Sequence, residues 1–277
     1  MRRAPAAAKI NLALVVGPTR DDGKHEVLTV YQRIDLVDRI EIDEAPNLRV
    51  EGFEADTLVR TALERLAAAA GVEPRWRVKI EKHIPLAAGL GGGSSDAATA
   101  LRLANGSLAE PLPAAELHTI ANGIGADVPF FVVHGPQLGS GDGSELAPLG
   151  ISPAFWPQDF WVVVLLPRDV TKSSTAAVYA EFDARAGADG WEERRGALLD
   201  ALARITHPLD LAALPPNDLA TSPLADEMRA AGAFRADVSG AGPALYGLFL
   251  HRPDAEAASR SLQRFGTTWV VPPCWYG

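Results

Sequence analysis

The stretch PLAAGLGGGSSDAATALRLAN, Pro85 to Asn105, contains five consecutive glycines and serines. The segment before it, Arg75 to Ile84, alternates apolar and charged side chains with the period of two that is typical of a half-buried strand. Lys82 interrupts the apolar side of that pattern. After the glycines, Ser94 to Asp96 are good N-cap residues, and apolar residues recur at helical spacing through Ala104. The pattern predicts a strand, a glycine loop and a helix in succession.

Such a loop is suited to binding an anion. The first turn of a helix has free N–H groups and the positive end of the helix dipole, and glycine lets the backbone approach the ligand closely. Two better-known motifs are excluded. A dinucleotide fingerprint fails because Ser94 stands where its last glycine or alanine belongs, and no Lys followed by Ser or Thr ends the loop as in a Walker motif. A flexible turn before a surface helix is the alternative that the glycines alone leave open.

The charge of the chain limits its partners. Its 277 residues suffice for one or two domains with a real core. The formal net charge of −9, with no basic run, argues against a nucleic-acid-binding surface. A polyanionic substrate would therefore be bound locally, by loop amides and a few cations.

Cysteine usage and hydropathy indicate a cytoplasmic protein. The single cysteine, Cys274, excludes an intramolecular disulfide and a cysteine metal cluster, which fits a reducing compartment. Lys9 and Asn11 interrupt the apolar N-terminal region, so we interpret it as mature protein rather than a signal peptide. No apolar run approaches the roughly 20 residues of a membrane span.

Two polar residues stand out elsewhere. Lys9 projects with Asn11 from the same face of the otherwise apolar strand Ala8 to Val16. Without further evidence, a solvated strand face or an edge charge is the simpler interpretation of Lys9. Asp127 leads into an apolar segment through Val133, predicted as a strand, and could be an ordinary turn or cap residue.

The remaining elements predict an α+β protein with two layers. A proline-rich segment, Pro148 to Pro157, is the one plausible linker and predicts a domain boundary. The other predicted strands are Val27–Ile34, Arg39–Asp43, Leu48–Val50, Phe160–Leu166, Phe234–Val238, Ala244–Leu250 and Thr267–Val271. The other predicted helices are Leu58–Ala70, Pro113–Ile124, Thr175–Asp183, Trp191–Ile205, Asp218–Ala231 and Asp254–Phe265.

Three segments together are more specific than any one of them. They are AKINLAL at Ala8 to Leu14, PLAAGLGGGSSDAA at Pro85 to Ala98, and SGAGPALYGLF at Ser239 to Phe249. In this order the chain resembles the GHMP kinase superfamily from Lys9 to Phe249. The resemblance implies a two-domain α+β fold with the active site in the cleft between the domains. Residues 1–152 would form a ribosomal S5-like N-terminal domain with the glycine-rich ATP loop, and residues 153–277 a ferredoxin-like C-terminal domain.

The resemblance also implies a small-molecule kinase with ATP as co-substrate and Mg²⁺ as cofactor. The γ-phosphoryl group would pass to a hydroxyl of a methylerythritol that carries a cytidine diphosphate, in non-mevalonate isoprenoid precursor biosynthesis. Lys9 matches the family's active-site lysine and Asp127 its catalytic aspartate. Asp127 would take the hydroxyl proton, and apolar neighbours would leave it partly desolvated. Lys9 would lower the hydroxyl pKa or hold Asp127 and the γ-phosphate in place.

The family pattern assigns the remaining site residues. The ATP phosphates would be held by Pro85, Ala88, Gly89, Leu90, Gly91, Gly92, Gly93, Ser94 and Ser95, with Ser94 or Ser95 nearest to Mg²⁺. The acceptor substrate would be held by Asn11, His25, Thr175, Tyr179, Ser239 and Gly240. Among these, His25 would read the cytosine, Tyr179 would stack on it, and Thr175 would lie near the erythritol.

Some positions depart from the family pattern. Lys24 replaces an aromatic residue that would complete a sandwich around the cytosine, and Thr57 replaces an asparagine near the adenine. Lys24 could contact the substrate phosphates instead, or another aromatic such as Tyr31 could substitute. Ala8 stands where proline is common. Two other functions therefore stay open: a kinase of a different alcohol or nucleotide-linked polyol, and a non-catalytic nucleotide-binding homologue. We expect a monomer or a homodimer with a small-molecule substrate and no membrane partner.

Overall fold

The computed structural model describes residues 1–53, 57–149, 156–168 and 174–275. Its strands are β1 (Arg2–Thr19), β2 (His25–Glu44), β3 (Arg49–Glu51), β4 (Trp76–Glu81), β5 (Gln137–Ser140), β6 (Glu145–Pro148), β7 (Trp161–Pro167), β8 (Arg235–Val238), β9 (Leu245–Phe249), β10 (Gly266–Val271) and β11 (Pro273–Cys274). Its helices are α1 (Thr57–Ala70), α2 (Gly92–Asn105), α3 (Ala114–Asn122), α4 (Val128–Val132), α5 (Thr175–Ala184), α6 (Trp191–Leu202), α7 (Leu224–Ala230) and α8 (Arg252–Leu262), with a 3₁₀ segment at Pro208–Ala213. The predicted boundary between residues 152 and 153 lies outside the described residues.

The first sheet is built around β2. This long strand pairs antiparallel with β1 along most of its length, and with β4, β5 and β11 over shorter stretches. The order β3-β4-β2-β5-β6 completes the sheet, in which β3 and β4 are parallel. Residues Ala6 to Gly17 of β1 are all buried, because both faces of the strand are covered. Helices α1 and α2 pack on one side, in a core with Ile40, Val78 and Leu101.

The second sheet has the strand order β10-β7-β9-β8, and all its pairings are antiparallel. One apolar core joins it to the first sheet, since Ile10 and Leu12 of β1 pack in the same cluster as Val164 and Tyr246. Polar contacts add to this junction. The Tyr246 hydroxyl donates to the Leu12 carbonyl oxygen at 3.0 Å, and Arg235 Nη2 donates to the same oxygen at 2.6 Å. The two sheets therefore share a buried seam along β1.

Most predicted elements are confirmed within a few residues, including α1, β4, β7 and α8. The separately predicted strands Val27–Ile34 and Arg39–Asp43 are parts of β2. The strands β5, β6 and β11 were not predicted, because short, glycine-rich or proline-containing segments carry little periodic signal.

The predicted strand after Asp127 is wrong: the segment forms the short helix α4. Its aromatic and β-branched residues suggested a strand. However, Pro129 lies in the first turn, where the fixed φ of proline suits a helix, and the Val128 N–H donates to the Gly125 carbonyl at 3.0 Å.

Two predicted helix starts are also wrong. Helix α2 begins at Gly92, so Ser94 to Asp96 lie in its first turns instead of capping it. The helix predicted from Asp218 begins only at Leu224. Asn217 Oδ1 accepts from the Leu219 N–H at 2.8 Å and Asp218 Oδ2 from the Val16 N–H at 2.9 Å, and these bonds hold the segment in an irregular conformation.

Candidate active site

A cleft of about 810 Å³ is lined by residues of β1, β2, the glycine loop, α5 and the turn before β9. The predicted site residues that line it are Lys9, Asn11, His25, Pro85, Ala88, Gly89, Leu90, Gly91, Gly92, Gly93, Ser94, Asp127, Thr175, Tyr179 and Gly240. Ser95 and Ser239 do not line it. They are 1% and 0% exposed, which removes both hydroxyls from the cleft surface. The structure thus brings most of the predicted set together around one cavity.

Lys9 is a buried cation on the inner part of β1. It is only 4% exposed, so the alternative of a solvated strand face is wrong. Its ammonium donates to Asn11 Oδ1 at 2.7 Å, and Asn11 Nδ2 donates to the Thr29 hydroxyl at 2.8 Å. Thr29 in turn donates to the Ala13 carbonyl at 2.8 Å. This chain of hydrogen bonds holds the ammonium in a fixed position at the cleft.

The glycine loop passes directly over Lys9. The Lys9 N–H donates to the Leu90 carbonyl at 2.9 Å. Gly91, in the left-handed region at φ 69°, precedes α2, and a Cβ there would lie 2.9 Å from the Phe131 ring and 3.0 Å from Lys9 Cγ. The space therefore requires glycine. The N–H groups at the start of α2 have no partner from a preceding turn, which makes this end of the helix suitable for a phosphate.

Asp127 faces Lys9 from the start of α4. Its Oδ2 lies 3.6 Å from Lys9 Nζ, and its side chain is 34% exposed. Asp127 occupies the N-cap position, but its carboxylate makes no capping hydrogen bond, so the cap interpretation is wrong. Oδ1 instead accepts a hydrogen bond from the Tyr31 hydroxyl at 3.3 Å. A carboxylate with partial solvent access and an adjacent buried ammonium can accept a proton from a bound hydroxyl.

The opposite end of the cleft contains His25 and Tyr179. Their rings stack at 4.8 Å with an interplanar angle of 26°. His25 Nε2 lies 2.8 Å from Asp183 Oδ1 and 3.4 Å from the Thr19 hydroxyl. Burial raises the pKa of Tyr179 to about 12, with smaller contributions from nearby carboxylates, so its phenol stays neutral. Thr175 lines the cleft at the first turn of α5, next to the N-cap Ser174.

Lys24 pairs with Asp142, which lies in the turn between β5 and β6. The hydrogen bond and charge of Asp142 raise the pKa of Lys24. Burial alone would raise the pKa of Asp142, but hydrogen bonds from Lys24 and Ser144 lower it. Tyr31, the other aromatic that could take the place of the missing one, lines the cleft, and its hydroxyl is bound to Asp127. Thr57 is the exposed first residue of α1 and does not line the cleft.

The turn from Ser239 to Gly242 contacts the glycine loop. The Ser239 hydroxyl donates to the Gly89 carbonyl at 3.0 Å, and the Ala244 N–H donates to the Ala88 carbonyl at 3.0 Å. Asn217 Nδ2 donates to the Gly240 carbonyl at 2.6 Å, and this bond holds the turn in place. The turn therefore closes one wall of the cleft with backbone groups. Ser173, part of the motif around Thr175, lies outside the described residues.

Sequence reasoning missed a second lysine cluster beside the loop. Lys82 Nζ lies 2.5 Å from Asp38 Oδ2 and 2.7 Å from Asp96 Oδ2, and both carboxylates are fully buried. Burial raises the pKa of Asp96 to about 8, and the neighbouring Asp38 carboxylate raises it further while Lys82 opposes the shift. The interruption of the apolar pattern at Lys82 was the available signal. Its partners could not be identified from spacing.

Two features are absent from the described residues. In the ranges 1–53, 57–149, 156–168 and 174–275, no group of three or more His, Cys, Asp and Glu side chains is arranged to hold a metal ion. Among the helices of these ranges, none is long and apolar enough to cross a membrane.

Two family models match the chain. The model of the GHMP kinases N terminal domain matches residues 57–135, and that of the GHMP kinases C terminal domain matches residues 189–268. The chain is 37% identical to the 4-diphosphocytidyl-2-C-methyl-D-erythritol kinase of Salinispora tropica, covering 94% of this chain and 87% of that protein. It is 35% identical to the kinase of the same name from Geobacter sulfurreducens, covering 94% and 93%.

Solved structures agree with these relatives. A crystal structure of 4-(cytidine 5'-diphospho)-2C-methyl-D-erythritol kinase superimposes with a TM-score of 0.79 and 30% identity over the whole of both chains. The mevalonate kinase of Methanococcus jannaschii superimposes with a TM-score of 0.74 at 14% identity, which is a similarity of fold alone.

Proposed function

The chain belongs to the GHMP kinase family, and we propose that it transfers the γ-phosphoryl group of ATP to a hydroxyl of 4-diphosphocytidyl-2-C-methyl-D-erythritol. It is a small-molecule kinase with ATP as co-substrate. The observation that carries the proposal is the pairing of Lys9 and Asp127 at 3.6 Å under the glycine loop. The two residues come from distant parts of the chain and meet at the cleft, where a hydroxyl and a phosphate could be brought together.

The proposed step is a direct displacement. Asp127 takes the proton of the acceptor hydroxyl, whose oxygen forms a bond to the γ-phosphorus. The bond between that phosphorus and the bridging oxygen of the β-phosphate breaks, and ADP leaves. Lys9 stabilises the charge that develops on the transferring group, and its hydrogen bond to Asn11 keeps the ammonium in position. The reaction is mainly a matter of alignment and charge.

The glycine loop is the proposed phosphate site. The backbone N–H groups of Gly92, Gly93 and Ser94 begin a helix of 14 residues, and all three residues line the cleft. Ser95 is unsuited to direct contact, because it is buried and its N–H donates to the Gly91 carbonyl at 2.9 Å.

We propose that Ser94 is the group nearest to Mg²⁺. This ion commonly uses one or two protein oxygens together with substrate phosphates and water, so a dedicated cluster of carboxylates is not needed. Ser94 lines the cleft, and its hydroxyl is an oxygen ligand of that kind. When bound, the ion would neutralise charge on the β- and γ-phosphates.

The acceptor substrate would occupy the end of the cleft near His25 and Tyr179. Tyr179 offers a neutral aromatic face for the cytosine, and Thr175 lies one helical turn away, toward the erythritol. Asn11 lines the cleft but already bonds Lys9 and Thr29, so its proposed role is to orient Lys9 as well as the substrate.

A kinase assay across acceptors tests the function. Purified protein with Mg·ATP is given the diphosphocytidyl substrate, its uridine analogue, the methylerythritol phosphate without a nucleotide, mevalonate and homoserine. We expect turnover with the diphosphocytidyl substrate and formation of a phosphomonoester detected by ³¹P NMR, over a control without acceptor. Turnover of another alcohol in the absence of activity on the diphosphocytidyl substrate would refute the proposal.

A kinase of altered nucleobase preference is the second candidate, and the Lys24–Asp142 pair at the cleft favours it. Lys24→Tyr would restore an aromatic beside the base. We expect the KM for the diphosphocytidyl substrate to fall by about 10-fold, because stacking on an aromatic contributes about 1–3 kcal/mol per base. Lys79→Tyr, at an exposed position of β4, is the matched control. If the KM of the Lys24 variant is unchanged, residue 24 does not contact the base.

A further inference from the structure

Tyr31 is a buried tyrosine at the candidate catalytic carboxylate. It lies on β2, is 4% exposed and lines the cleft. Its hydroxyl donates to Asp127 Oδ1 at 3.3 Å, while the other carboxylate oxygen, Oδ2, faces Lys9 Nζ at 3.6 Å. Each oxygen of the carboxylate therefore has its own neighbour, one neutral and one cationic.

The Tyr31 ring is held tightly on several sides. It stacks on Phe130 at 4.9 Å with an interplanar angle of 27°. A Cβ at Gly139 would lie 2.6 Å from Tyr31 Cε2, and a Cβ at Gly143 would lie 2.7 Å from the hydroxyl oxygen. The hairpin formed by β5 and β6 thus approaches the ring at positions where glycine makes room for it. In this packing the hydroxyl points toward Asp127.

The protonation state of Tyr31 suits a donor. Burial raises the pKa of the Tyr31 phenol well above its usual value, and the charge of Asp127 raises it further. The phenol therefore stays protonated throughout the pH range in which a kinase works, and the carboxylate is the acceptor.

We propose that Tyr31 is a positioning residue that orients Asp127 for proton transfer, an inference that rests on the proposed function. By binding Oδ1, the hydroxyl restricts rotation of the carboxylate and leaves Oδ2 for the acceptor hydroxyl beside Lys9. Correct orientation of a base toward its proton contributes to the rate. The titratable groups that face Asp127 among the described residues are Lys9 from β1, Tyr31 from β2 and Tyr179 from α5.

Tyr31→Phe removes the hydroxyl and keeps the ring that packs on Phe130. We expect kcat to fall by about 5- to 30-fold, which corresponds to about 1–2 kcal/mol. The KM for ATP should change less than about 2-fold, since the loop is untouched.

Tyr246→Phe is the matched control. Its hydroxyl is also buried and donates to a carbonyl, that of Leu12, at 3.0 Å, but it does not contact Asp127. We expect this variant to melt at a lower temperature and to keep the kcat of the parent. If Tyr31→Phe also keeps the kcat of the parent, or if the two variants lose kcat equally, Tyr31 does not position the base.

A measurement without turnover separates this inference from the proposed function. The ¹³C carboxyl signal of Asp127, assigned with Asp127→Asn, is compared at one pH in the parent, in Tyr31→Phe and in Tyr246→Phe. We expect its chemical shift to change in Tyr31→Phe, which has lost the hydrogen bond to Oδ1, and to stay at the parent value in Tyr246→Phe. An unchanged chemical shift in Tyr31→Phe overturns the Tyr31 inference even if the kinase is active. Failure of the parent to phosphorylate the diphosphocytidyl substrate overturns the function, and the chemical shift still tests the hydrogen bond.

Discussion

Two lysines flank the glycine loop, and the carboxylates beside them differ in number and in burial. Lys9 faces a single carboxylate, Asp127, whose side chain is 34% exposed, at 3.6 Å. Lys82 contacts two carboxylates, Asp38 and Asp96, both fully buried, at 2.5 and 2.7 Å. Asp38 also accepts hydrogen bonds from two backbone N–H groups at the end of β4.

The difference shows how burial separates a carboxylate that reaches the cleft from carboxylates that do not. Asp127 can reach a ligand in the cleft, so a proton can move between them. Asp38 and Asp96 have no access to solvent, and one ammonium is shared between them. Two carboxylates so close cannot both ionise easily, which agrees with the raised pKa of Asp96. We therefore expect substitutions at the first cluster to change turnover and those at the second to change stability.

The largest effect is expected for Asp127→Asn. The amide keeps the shape of the side chain but cannot take a proton, so kcat should fall by about 10²- to 10⁴-fold. ATP affinity, measured by calorimetry, and the melting temperature should stay close to the parent values, because the carboxylate does not cap α4. Turnover at the parent rate would remove Asp127 from the mechanism.

The next largest effect is a loss of stability, expected for Lys82→Met. It leaves the buried side chains of Asp38 and Asp96 without their cation, and removing one partner of a buried ion pair costs about 3–5 kcal/mol. The free energy of unfolding is measured by urea titration at pH 7. Lys79→Met, on the exposed face of the same strand, is the control and should change it by less than about 0.5 kcal/mol. Equal effects of the two variants would contradict a structural role for Lys82.

The smallest effect is expected for Asp96→Asn, and it depends on pH. Because burial raises the pKa of Asp96 to about 8, the stability associated with its protonated form is complete below about pH 4 and is lost as the pH rises through 8. Relative to Asp96→Asn, the parent should therefore lose at most about 3–4 kcal/mol of unfolding free energy between pH 5 and pH 8.

The control for this prediction is Asp200→Asn, at an exposed position of α6. The free energy of unfolding of this variant should change with pH in the same way as that of the parent. Turnover of Asp96→Asn should stay within about 2-fold of the parent, because Asp96 does not line the cleft. A parallel pH dependence of the parent and Asp96→Asn would show that Asp96 is ionised in the folded protein at low pH as well.

Much of the fold and part of the site could be predicted from sequence. Periodicity located β4, α1 and the helix after the glycine loop, and the three motifs together indicated the family and the cleft. Lys9 and Asp127 each had a simpler interpretation when considered alone, as a strand-face charge and a cap. Only their occurrence with the loop favoured a kinase site.

Other features could not be predicted because the contacts join distant residues. Tyr31 and Asp127 are 96 positions apart, and Lys82 and Asp38 are 44 apart. A period of two indicates which face of a strand a side chain occupies, but not what packs opposite. The segment after Asp127 looked like a strand for a different reason: its composition is apolar, and the turn from Gly125 to Val128 that starts a helix is a local geometry without a periodic signal.

The sequence by itself determined the local elements, because hydrophobic period is a property of short segments, and the order of its three motifs indicated the family and with it the reaction class. The tertiary structure alone decided which charged residues reach the cleft. Burial depends on packing between the two sheets and their helices, and burial sets whether a carboxylate beside a lysine can reach a ligand. The glycine loop marks where the phosphate would lie, while the exposed fraction of Asp127 and Asp96 separates the candidate base from the structural acid.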